Sequence, residues 1–138
     1  MDKDEFRGKL QSYSKGKLIE AIICKVEDMA AFIEYLRENE IRYFREKAEM
    51  AVEALKTALE AKNEAEGHYR SFVRKTALER GCMANGKVDP WLWASRASKE
   101  DFEHESELRK RYEDAMRRWK KAKLRAKQTK EAYERRKR

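Results

Sequence analysis

The chain has 138 residues, with 34 Lys or Arg against 26 Asp or Glu, a net charge of +8, and only 1 Pro and 5 Gly. Charged residues at 43% beside hydrophobic residues at 41%, with so few chain breakers, exclude a sheet protein and indicate one domain of long helices. The chain opens Met1-Asp2-Lys3-Asp4-Glu5 and its longest apolar run is Ala21 to Cys24. A secretory signal, which needs about 7 to 15 apolar residues, and a spanning helix, which needs about 20, are therefore not expected, and the expected location is a reducing cytoplasm.

Asp2 with Glu5 three residues on forms an acidic capping box for a short helix to about Gln11, with Phe6 and Leu10 on one face. Ser14 is a second N-cap, with Tyr13 and Leu18 placed as a hydrophobic staple. Leu18, Ile19, Ile22, Ile23 and Val26 then trace a helical stripe that Met29, Phe32, Ile33 and Leu36 continue. Residues 1–38 read as short apolar helices, the second of them split or kinked near Glu27-Asp28.

Residues 39–80 read as one long helix, with Gly67 its single Gly and no Pro. Ile41, Phe44, Ala48, Ala51, Leu55, Ala58, Lys62, Ala65, Tyr69 and Phe72 alternate by three and four, which is a heptad seam. Gly81 to Gly86 supplies the Gly and Asn of a helix stop and turn, and residues 81–98 read as a loop. Within it Asp89-Pro90-Trp91-Leu92-Trp93, if extended, points Trp91 and Trp93 to opposite sides, so that only one of them is buried. They either plug the end of the helical pair or pack on the N-terminal helices, or one of them is an exposed anchor for a partner protein.

Ser98 with Asp101 restarts a helix over residues 99–138. Leu108, Tyr112, Ala115, Trp119, Ala122, Ala126, Thr129 and Tyr133 form its seam. Two such helices joined by one loop predict an all-α fold: short N-terminal helices plus a long antiparallel, coiled-coil-like helical hairpin. Charge agrees at the loop end. Residues 68–80 carry Arg70, Arg74, Lys75 and Arg80 against Glu79, whereas residues 99–107 carry five acids against Lys99. At the other end residues 38–66, with eight acids and five bases, are expected to face the basic C-terminal half. Volume agrees too, placing Trp119 near Ala58 and Ala61 and Tyr112 near Ala65 and Gly67.

No catalytic signature, P-loop or dinucleotide pattern occurs, and neither catalysis nor a cofactor is expected. Cys24 reads as a buried small hydrophobe and Cys82 as a loop thiol; two isolated cysteines make neither a disulfide framework nor a zinc site. His68 and His104 lie within about two turns of each other in the hairpin, near Glu64 and Asp101. Their spacings are not the repeated Glu-x-x-His of di-iron bundles, so no metal is expected.

The functional signal is charge. Residues 109–138 hold fifteen Lys or Arg against Glu113, Asp114, Glu131 and Glu134, a net of +11. Arg109, Lys110, Arg111, Arg117, Arg118, Lys120, Lys121, Arg125 and Lys130 are the candidate contacts to nucleic acid or a nucleoprotein, with an acidic protein surface as the alternative partner. A solvated face that merely keeps the chain soluble accounts for the same residues. Tyr112, Trp119 and Tyr133 sit in the seam and read as core rather than as base-stacking platforms.

The segment Tyr13-Ser14-Lys15-Gly16-Lys17-Leu18-Ile19-Glu20-Ala21-Ile22-Ile23 resembles the opening of small helical proteins of unassigned function from prophages and mobile elements of gut-type bacteria. There a Tyr-Ser-Lys step precedes a Leu-Ile-Glu-Ala-Ile helix and a long charged hairpin; Gly16 and Lys17 depart from the acidic pair expected there. The resemblance implies a phage accessory protein and transfers no catalytic residues. It leaves open a small inhibitor of a host defence complex, of the anti-CRISPR kind. A further alternative is a homodimeric bundle adaptor with Met50, Val52, Leu59 and Val73 as its extra stripe.

Overall fold

The structure, a computed structural model, describes residues 1–138. It is all-α apart from one minimal hairpin of strands: α1 (Lys3–Gln11), α2 (Lys15–Lys25), α3 (Met29–Arg80), β1 (Met83–Ala84), β2 (Lys87–Val88), α4 (Pro90–Arg96) and α5 (Lys99–Lys137). The chain divides into two units, Met1–Tyr43 and Phe44–Arg138.

In the first unit, the Glu5 N–H donates to Asp2 Oδ1 at 2.8 Å and the Lys17 N–H to Ser14 Oγ at 3.3 Å, so each expected cap opens its helix. The long helix begins at Met29 rather than Asn39. Asp28 caps it, accepting from the Ala31 N–H at 3.0 Å, and nothing between Met29 and Asn39 breaks the backbone ladder. Glu27-Asp28 is therefore the boundary of a long helix rather than a kink inside a short one.

In the second unit α3 packs antiparallel against α5. Lys62 Nζ lies 5.0 Å from the Trp119 ring centroid, the Tyr69 and Tyr112 rings stack, and Arg80 Nε meets Asp101 Oδ2 at 3.0 Å. From pair to pair the chain advances seven and then eleven residues along α3, and retreats by the same seven and eleven along α5. Both steps approximate whole turns of a 3.6-residue helix, so one face of each helix stays in contact throughout. Every expected seam residue of this unit, Phe44 to Phe72 on α3 and Leu108 to Tyr133 on α5, is buried or half-buried, and Ile41 in the first unit is half-buried. Tyr112 sits beside Tyr69, slightly further along α3 than the expected Ala65 and Gly67.

Residues 81–98 are more ordered than a loop. The Cys82 N–H donates to the Ala77 carbonyl at 2.7 Å and the Gly81 N–H to the Leu78 carbonyl at 3.4 Å, with Gly81 at φ +69°. This is a Schellman stop. Asn85 and Gly86, at φ 53° and 75°, make the tight turn that pairs Met83 with Val88 and Ala84 with Lys87. Asp89 then accepts from the N–H groups of Trp91 and Leu92, with Pro90 in the first turn of α4.

Of the two cysteines, Cys82 lies in the loop as expected, whereas Cys24 is not the buried hydrophobe expected of it. Cys82 is wholly buried at the helix stop, and Cys24 is exposed on α2, a helix with no buried residue. Burial here follows the packing of the turn, not the polarity of the neighbouring sequence. Trp91 and Trp93 sit on a helix rather than an extended strand, yet the outcome is the expected split. Trp91 is 86% exposed, while the Trp93 ring meets Phe102 edge-on, centroids 6.2 Å apart. No helix is long and apolar enough to cross a membrane.

Candidate functional site

α5 starts from a complete capping box: the Asp101 N–H donates to Ser98 Oγ at 3.1 Å and the Ser98 N–H to Asp101 Oδ2 at 2.9 Å. The Ser98 N–H and then the Arg80 side chain hold the Asp101 carboxyl below its ordinary range, and the same carboxylate raises the Arg80 pKa. One turn on, the Tyr69 hydroxyl donates to Glu105 Oε1 at 3.0 Å. Burial, and then that bond, raise the Tyr69 pKa. Acidic α5 and basic α3 thus meet at the tip as their composition requires.

The other end behaves differently. Arg109, Arg111 and Arg117 pair with Glu105, Glu107 and Asp114, all on α5 itself. Beyond them Arg118, Lys120, Lys121, Arg125, Lys127 and Lys130 are exposed and enter no ion pair. Lys123 enters none either and lies 5.2 Å from the Trp119 ring. The expected neutralisation of this stretch by acids of the opposite helix is not made by direct ion pairs. Lys130 shares a groove with Glu49 and Glu53, beside Val52 and Tyr133, without reaching either carboxylate.

At 100° per residue the unpaired cations fall into two rows flanking the seam. Arg118, Lys121 and Arg125 follow one shoulder of α5 and Lys120, Lys123, Lys127 and Lys130 the other. The seam between them is filled by Trp119, Ala122, Ala126 and Thr129, all buried or half-buried. Lys123 and Lys127 belong to the site on the same footing as the shorter set of candidates; their three- and four-residue spacing from Lys120 and Lys130 is the signal. Lys110, also exposed and unpaired, lies nearer the acidic start of α5.

On the first shoulder Arg111, Asp114 and Arg118 border an open groove of about 640 Å³ floored by Ala54, Thr57, Ala58 and Ala61. Met50, 72% exposed, lies some 200° around α3 from Val52, 54% exposed. Val52, Leu59 and Val73 fall within about 60° of one another on α3, so of the four residues only Met50 lies off the common stripe. The His104 ring sits 4.2 Å from Phe72, and no three His, Cys, Asp or Glu side chains are grouped to hold a metal ion. Comparison of the chain with family models, with curated proteins and with solved structures yields no match.

Proposed function

We propose that the protein binds nucleic acid, alone or within a nucleoprotein, through the phosphate backbone, using the two cationic rows of α5. The observation that carries this reading is the run from Arg118 to Lys130, seven exposed cations with no carboxylate in ion-pair contact. Successive members of a row are three or four residues apart, about 4.5 to 6 Å along the axis, a spacing that suits phosphates. Unpaired cations already lack the partners that a polyanion would displace, so binding costs no internal ion pair and gains from counterion release. The aromatic rings lie in the seam, so contacts with phosphate dominate and sequence is read weakly.

The test is a titration of duplex DNA and duplex RNA at several salt concentrations. Wild type is expected to bind at low salt with a steep salt dependence. Arg118, Lys121 and Arg125 changed together to Gln should flatten the log–log slope by roughly 2 to 3. Arg109 and Arg111 changed to Gln, whose charges are engaged by Glu105 and Glu107, should change it less. Absence of binding at low salt, or an unchanged slope in the triple variant, refutes the proposal.

A protein contact at the tip is favoured by one separate observation, the exposure of Trp91, because Trp is enriched among interface hot spots. Trp93 is instead held against Phe102. Acrylamide quenching in free protein should weaken sharply in Trp91→Phe and little in Trp93→Phe; equal loss in both would remove the basis for the anchor.

A further inference from the structure

The first unit has an unsolved burial problem. Ile19, Ile22, Ile23, Met29, Ile33 and Leu36 of α2 and α3 line a cleft of about 370 Å³ with apolar side chains, each between 41% and 69% exposed. No residue from Met1 to Tyr43 is buried, and Cys24 is a free thiol. A unit of this size is close to the limit, about 40 residues, below which chains usually need a disulfide, a metal or a partner.

We propose that this face is closed by the same face of a second copy of the chain. Two observations select that occupant. The first is charge: α2 carries Lys15, Lys17 and Lys25 against Glu20, a net of +2, and residues 27–38 carry Glu27, Asp28, Glu34 and Glu38 against Arg37, a net of -3. In a two-fold dimer each patch is used twice. Setting α2 of one copy against the start of α3 of the other matches opposite charges at both repeats.

The second is area. With about 100 Å² for a fully exposed large apolar side chain, the six cleft residues present roughly 320 Å². Two copies then offer about 640 Å² of apolar surface. Homodimer interfaces are about 65% apolar, so this corresponds to roughly 1,000 Å² in all, the area at which a specific interface begins. The proposal is independent of the nucleic-acid reading, and a dimer would join two basic helices in one particle, raising avidity for a polyanion.

Sedimentation velocity of the full chain tests it. Wild type should reach twice the chain mass of 16.5 kDa. Ile23→Lys and Ile33→Glu should each raise the dimer dissociation constant about tenfold or more. Mixing the two variants should restore a heterodimer, because Lys at 23 in one copy then meets Glu at 33 in the other while the second pair stays apolar. Met50→Lys, on the hairpin, should leave the dimer intact. A wild-type chain that stays monomeric, a dimer that survives both single substitutions, or a mixture of helical variants that fails to associate overturns the proposal. So does a monomer that binds phosphatidylglycerol vesicles in a manner abolished by Ile23→Lys, since the face would then serve a lipid surface.

Discussion

The rings of Tyr69 and Tyr112 lie nearly parallel across the hairpin, 5° apart in plane with centroids separated by 6.1 Å. Tyr69 also donates its hydroxyl to Glu105, about two turns before Tyr112 on α5. A double-mutant cycle on Tyr69→Ala and Tyr112→Ala should give a coupling of about 0.5 to 1.5 kcal/mol from chemical denaturation. Tyr69→Phe, which keeps the ring and removes the hydroxyl, should cost about 1 kcal/mol. Additive single effects would show that the rings are neighbours without being partners.

Gly81 is expected to be intolerant. Its φ of +69° disfavours any L side chain, and an added Cβ would lie 2.9 Å from Arg96 Nη1, which donates to the Gly81 carbonyl at 2.7 Å. Gly81→Ala should lower stability by about 1 to 2 kcal/mol, measured by thermal or denaturant unfolding. Gly67→Ala, in mid-helix with open space around it, should instead raise stability by up to about 1 kcal/mol. Equal responses at the two sites would contradict the Schellman stop.

The two thiols should separate cleanly under a thiol-reactive chromophore. Cys24 is exposed and Cys82 fully buried, so native protein should react rapidly at one equivalent and reach two only in denaturant. Cys24→Ser should abolish the fast phase.

Asp101 gives a pH signature. Its folded pKa lies below the ordinary 3.8 because of the Ser98 N–H and Arg80. Its contribution to stability is therefore fully present above that ordinary value and is lost as pH falls through the lowered one. Asp101→Asn should reduce the melting temperature near neutral pH, and the gap from wild type should close in strong acid. A gap that stays constant down to low pH would refute the role assigned to the carboxylate.

How legible these features were depends on how local their causes are. Every position named by the heptad spacing is buried or half-buried, because a 3.5-residue repeat has one geometric solution for a pair of helices, but the buried Thr76 and Ala77 lie past its last named position, Phe72. The caps at Asp2, Ser14 and Ser98 were equally readable, each being a bond between residues three apart. The tip was underread although its signals were present, Asn85-Gly86 for the strand turn and Asp89-Pro90 for a helix start. The loop position of Cys82 was legible but its burial was not, because that depends on how a turn packs, and Cys24 is exposed rather than buried because no core surrounds α2. The candidate interface was legible as charge density, but pairing was not. Only coordinates show that Arg109, Arg111 and Arg117 spend their charge on neighbours along α5 while Arg118 to Lys130 do not.

The closed tip also orders events in time. Its Schellman stop, tight turn and Asp89 cap join residues close in sequence, so loop-closure entropy is least there. Each further cross-helix pair, from Arg80–Asp101 to Tyr69–Tyr112 to Lys62–Trp119, extends a structure already begun. The hairpin is expected to zip from the tip, with its basic end closing last and opening first. Amide exchange should therefore grade from slow near Ala77 to fast beyond Lys130, and uniform protection along α5 would contradict this order. The cations from Arg118 to Lys130 would then lie on the half of α5 that closes after the tip, where a ligand that fixes them also helps to complete the fold.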